Sequence, residues 1–257
     1  MNHPFELTFE NALGSCNALW DLSGKIVSDP KYGNPHNWIL TFRDGLRGML
    51  ARLIVVDREY VKLHEFQSLP NINDYNPNDW GLICESHAAS IFFGMDSAIE
   101  CFVFAMNSIG FIKAPSDFCD ITNPKSLRQI GPQNILGGAP NDKRNPKPGY
   151  QKVFPRLLNH WLAHGSLLAN IIEYHDVSKH RSAVATGGGN GVLHVRADPK
   201  QPGSLFSSTL HTVESLAHEF QKFMDELLPI ALEECVAAFG FTVTKVVVGG
   251  NGISSPN

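Results

Sequence analysis

The chain has 257 residues, of which 43 % are hydrophobic and 18 % charged, with a formal net charge of −4 at pH 7. A chain of that length buries roughly 70–75 % of its unfolded surface and needs no disulfide or metal staple to fold. The acidic balance excludes non-specific nucleic-acid binding by the surface as a whole. The five cysteines, Cys16, Cys84, Cys101, Cys119 and Cys235, form no CxxC pair, which excludes a zinc knuckle and a disulfide framework.

The opening residues carry neither a basic run nor an apolar run, so no signal peptide is predicted. The most apolar stretch, Ile91 to Met106, contains Asp96 and Glu100. A cytoplasmic protein without a membrane segment is the expectation. Charge is uneven: residues 113–200 hold 12 Lys/Arg against 6 Asp/Glu, a basic middle in an acidic chain. That middle can meet phosphate or simply be a solvated loop region.

Residues 1–30 are predicted to be irregular, from turn signals at Gly14, Ser23–Gly24 and Asp29–Pro30. A long helix follows from near Asn37, because Ile39, Phe42, Leu46, Met49, Leu53, Val56, Tyr60 and Leu63 recur at spacings of 3 and 4. After a polar linker, Asn78 or Asp79 caps a second helix, striped by Ala88, Ile91, Met95, Ala98, Phe102, Ala105 and Ile109 and ended by Gly110. Residues 114–149 hold six prolines and read as an irregular insertion. Helical pattern resumes near Phe154, with Leu157, Trp161, His164, Leu168, Ile171 and His175 on one face. A short strand is predicted at 192–195. A fourth helix spans about Ser208 to Leu228, and Pro229 kinks or restarts it as a short helix to Phe239. A strand at 242–248 and a flexible tail at 249–257 complete the chain. The fold class predicted is mainly α: a single domain, 1–257, of about four long helices with a small β accessory.

Several motifs lead nowhere specific. The glycines at 187, 188, 189 and 191 lack the spacing and the Gly-Lys-Ser/Thr ending of a phosphate loop. His211, Glu214 and His218 share a helix face without metallohydrolase spacing. His160 and His164 can chelate a metal or serve as core histidines. The segment Glu173 to Arg181 differs, for eight of its nine residues are polar or titratable at the end of an apolar helix. Asp176 and His180, four apart, allow a carboxylate to orient an imidazole. The same residues also read as a basic last turn that complements the helix dipole.

This segment resembles the HEPN superfamily of small helical proteins, many of them RNA-cutting toxins and defence proteins. Their motif is an arginine, a polar residue, a short gap and a histidine at a helix end. Asp176 matches the polar position and His180 the histidine, while His175 stands where the family has arginine. The resemblance implies a metal-independent endoribonuclease without a cofactor. His180 is then the base and Asp176 orients it, with His175, Lys179 and Arg181 on the phosphate. RNA is the implied partner and a homodimer the implied assembly. His175, Asp176 and Lys179 are also similar to the His-Asp-x-x-Lys signature of HD-domain phosphohydrolases, which implies a divalent metal held with an upstream histidine and a downstream aspartate such as Asp225. A non-enzymatic helical scaffold that binds RNA or protein is the third reading.

Overall fold

The computed structural model describes residues 7–69, 76–127, 129–132, 135, 148–180, 183, 185–187, 192–198, 200 and 211–241, and side chains at all of these except 77, 78, 180, 186 and 187. The protein is mainly α with a small β accessory, as predicted. The elements in chain order are α1 (Glu10–Ser28), a 3₁₀ turn (Pro30–Tyr32), α2 (His36–Gln67), α3 (Pro77–Lys113), α4 (Pro124–Leu127), α5 (Pro148–Val153), α6 (Pro155–Ala163), α7 (Gly165–His180), β1 (Ala185–Gly187), β2 (Leu193–Val195) and α8 (Val213–Phe239). The strands pair antiparallel, Ala185 opposite Val195 and Gly187 opposite Leu193. The predicted strand at 242–248 and the tail lie outside the described residues.

The periodic helices form where their stripes place them. All eight stripe residues of α2, Ile39 to Leu63, are buried. The α3 stripe from Ala88 to Ile109 is buried too, with Phe92, Ile99 and Met106 beside it. α3 is apolar enough by length and composition to cross a membrane, and 61 % of its most apolar window is buried within the protein, as in a central helix of a bundle.

Four boundaries differ from expectation. Residues 10–28 form a helix, not an irregular segment, and bury Ala12, Cys16, Leu19, Leu22 and Ile26 at helical spacing. α1 has no side-chain cap of its own at Phe9. The Ala12 N–H donates instead to Asp225 Oδ1 at 3.0 Å, so α8 supplies the cap. α3 runs through Gly110 to Lys113, and the hydrogen at Gly110 leaves room for the Phe118 ring, which a Cβ would strike. The third predicted helix is two helices, α6 and α7, parted at His164. Finally, α8 continues through Pro229 without restarting, and it begins at Val213. Thr212 and Ser215 bound that start reciprocally: Ser215 N–H donates to Thr212 Oγ1 (3.0 Å) and Thr212 N–H to Ser215 Oγ (2.9 Å), a capping box. Thr212→Ala is therefore expected to cost about 1 kcal/mol in urea unfolding; an unchanged midpoint would show that the box contributes nothing. At the other end Gly240, at φ 74°, closes a Schellman motif, with Phe241 N–H donating to Val236 O (3.0 Å).

The chain groups into two compact units. The first comprises Met1–Thr8, Ala51–Ala98 and Ser166–Lys222: the C-terminal part of α2, most of α3, α7, the hairpin and the start of α8. The hairpin is held by its neighbours, with Ala185 N–H donating to Glu85 Oε2 (2.9 Å) and Tyr174 O–H to Arg196 O (2.6 Å). The second unit comprises Phe9–Leu50, Ile99–Gly165 and Phe223–Asn257. In it, Gly45 and Gly48 of α2 meet α3 so closely that a Cβ on either would overlap Ala105 or Cys101. The start of the 114–149 segment is turn-rich and anchored: Phe118 and Cys119 are buried, and Phe118 packs beside Tyr150 and Phe154.

Candidate functional site

Helix α7 positions the predicted cluster by its own amphipathicity. Tyr174 and Val177 are buried, which turns Asp176 and Lys179 outward and leaves His175 and Ser178 half-buried. Tyr174 packs on Phe92 of α3 at 4.9 Å between ring centroids, fixing the rotation of α7 within the first unit.

That rotation brings His175 to Asp96. His175 Nδ1 lies 2.5 Å from Asp96 Oδ2, and the side chains are 12 % and 8 % exposed, so water competes little for the bond. A carboxylate accepts, so Nδ1 carries the proton and Nε2 is left for other chemistry. Phe93 meets the imidazole edge-on, centroids 5.3 Å apart and planes at 71°. The Arg52 guanidinium sits 5.5 Å from the Phe93 ring centroid, which brings a cation into the neighbourhood. Burial raises the Asp96 carboxyl above the ordinary carboxylate range, and the His175 hydrogen bond draws it part of the way back. The arrangement is a carboxylate-held imidazole at a basic helix end, suited to moving one proton at Nε2.

The predicted residues fare unequally. Asp176 is exposed. The carboxylate that touches His175 is Asp96, 79 positions upstream. Lys179 is exposed on the same helix. His180 closes α7, but its side chain and Arg181 lie outside the described residues. Asp225 caps α1 through Ala12 N–H. Asp96 was visible in the sequence as a charge inside an apolar run. Nothing in spacing within one helix could name its partner on another.

Other titratable groups cluster elsewhere. In the first unit Tyr60 Oη and His218 Nε2 are 3.0 Å apart, beside His64, whose imidazole burial holds below its usual value. His211 precedes α8 instead of sharing a face with Glu214 and His218. In the second unit His160 and His164 lie against Phe223. Burial pushes the Cys84 thiol up to about 11 and Cys16 up to about 12, which leaves little thiolate for nucleophilic attack.

Compared with known proteins, the chain matches no family, no curated relative and no solved structure.

Proposed function

We propose that this chain is a HEPN-like endoribonuclease that works without a metal ion, with His175 held by Asp96 as one of its proton-transfer groups. The observation that carries the reading is the 2.5 Å contact between the two side chains at the start of a basic helix end. His180 takes the proton from a ribose 2′-hydroxyl. The resulting oxygen attacks the adjacent phosphorus. His175, hydrogen-bonded to Asp96 and doubly protonated at this step, gives its Nε2 proton to the departing 5′-oxygen. The products are a 2′,3′-cyclic phosphate and a 5′-hydroxyl, and the two histidines end with their protons exchanged. Lys179 and Arg181 offset the charge on the phosphate. RNA is the partner this chemistry requires, and a homodimer is the assembly that the resemblance adds.

The test is cleavage of labelled single-stranded RNA by the full chain in excess chelator, with the product ends identified. Cyclic phosphate ends that persist in chelator and vanish in His180→Ala are the expected result. Turnover of nucleotides only with added divalent metal would transfer the site to the phosphohydrolase reading. No turnover of either substrate would leave the scaffold reading, in which the pair serves the fold alone.

A further inference from the structure

The joint between α6 and α7 sets two imidazoles side by side. His160 and His164 are one helical turn apart, with ring centroids 4.5 Å from one another. His164 is the C-cap of α6, at φ −104° and ψ 17°, where the helix breaks. Its Nδ1–H donates to the His160 carbonyl at 3.0 Å, which fixes the tautomer and leaves Nε2 with a lone pair. His160 has a backbone hydrogen bond with Phe223, and its ring stacks on Phe223 at an interplanar angle of 8°. Its Nε2 is buried, has no hydrogen-bond partner among the described residues and lies 4.0 Å from Glu226 Oε2. A buried polar atom in that condition calls for a ligand or a water.

The ligand atoms of His160, His164 and Glu226 all lie within 4.8 Å of one another, a grouping found nowhere else among the described residues. We propose that these three side chains bind a divalent cation of the zinc class, with a fourth coordination position open to solvent. Two imidazoles and one carboxylate suit a borderline-soft ion over magnesium or calcium, which prefer oxygen alone. Bonds of about 2.0–2.1 Å place tetrahedral ligands about 3.3 Å apart, so binding draws the set together. Glu226, whose side chain is 45 % exposed, makes that movement, while the two histidines stay fixed by their backbone hydrogen bonds. The site lies in the second unit and takes no part in the ribonuclease chemistry proposed for His175.

The experiment titrates the chelator-treated full chain with zinc by calorimetry and with cobalt(II) by visible absorption. One ion per chain and a four-coordinate cobalt spectrum are expected. Glu226→Gln and His164→Ala should each weaken binding at least about tenfold. Glu226 is a surface side chain, so Glu226→Gln is expected to unfold at the parent temperature in the absence of metal, and it keeps the test valid if His164→Ala folds poorly. Zinc bound equally well by the parent and by Glu226→Gln overturns the proposal, and so does a parent that binds none at millimolar metal. RNA cleavage in chelator is independent of both results, so failure of this site and failure of the ribonuclease reading are separately visible.

Discussion

Replacing Asn107 with leucine is expected to lower folding stability by about 2–5 kcal/mol, although the two side chains share the same branched heavy-atom skeleton. Asn107 is buried on α3 and acts as a two-sided clamp on one residue: its Nδ2 donates to Cys119 O (2.9 Å), and its Oδ1 accepts from Cys119 N–H (3.0 Å). Both main-chain groups are buried, so water cannot replace the lost partners. Each abandoned group costs about 1–3 kcal/mol, whereas the packing change alone should cost less than about 1.5 kcal/mol. The clamp also fixes Phe118, the residue before it, against Gly110 and Gly149, where any added Cβ would overlap the ring. Urea unfolding measures the loss, and hydrogen exchange at the Cys119 amide locates it. A variant within 1 kcal/mol of the parent, with that amide still protected, would show that the segment holds itself in place.

The same clamp explains why the 114–149 segment was only half legible. Its prolines point to turns, but a proline count carries no trace of a side chain on another helix that satisfies the backbone. The long helices were legible for the opposite reason. α2 and α3 each write their buried face into their own residues at spacings of 3 and 4, and packing needs nothing more to be recognised. α1 has such a face, but Ala12, Ser15, Cys16 and Ala18 make it small-residued, and its N-terminal cap comes from Asp225, 213 positions away. α6 is similar: Phe154 at its N-cap offers no side-chain bond, and the carboxylate of Glu234 accepts from Arg156 N–H and Leu157 N–H, both at 2.8 Å. Two helix starts are thus capped by carboxylates of α8, and a local search for Ser, Thr, Asn or Asp before a helix finds neither. Burial raises both carboxyls above their ordinary range, which marks how far the caps are withdrawn from water. The candidate site divides in the same way. His175 and the basic helix end were legible as local composition, while the partnership with Asp96 is a product of how α7 packs on α3.

In the ribonuclease proposed above, replacing His175 with leucine is expected to lower RNA cleavage by about 10²–10⁴-fold, the usual contribution of a proton-transfer group. It is also expected to lower stability by about 3–5 kcal/mol at neutral pH, because it strands Asp96 as an unpaired buried carboxylate. Asp96 already has a folded-state pKa raised by burial, and His175 supplies the largest opposing influence. A carboxyl whose folded value is raised contributes stability that is fully present below its unfolded pKa of about 3.9 and is lost as pH rises through the folded value. Removing His175 raises the folded value further, so the deficit of His175→Leu should be small near pH 4 and grow toward pH 7. Asp96→Leu combined with His175→Leu removes both charges from the interior, and such paired replacements are commonly neutral or stabilising by about 1–4 kcal/mol. The double variant should therefore regain stability and lose the pH dependence, yet remain as poor in cleavage as the single variant. That separation distinguishes a proton-transfer group from a structural ion pair. If cleavage returns with stability in the double variant, His175 acts only through the fold and its role in proton transfer is lost. If the single and double variants are equally stable from pH 4 to pH 7, Asp96 and His175 are not coupled, and the orienting role given to Asp96 fails with them.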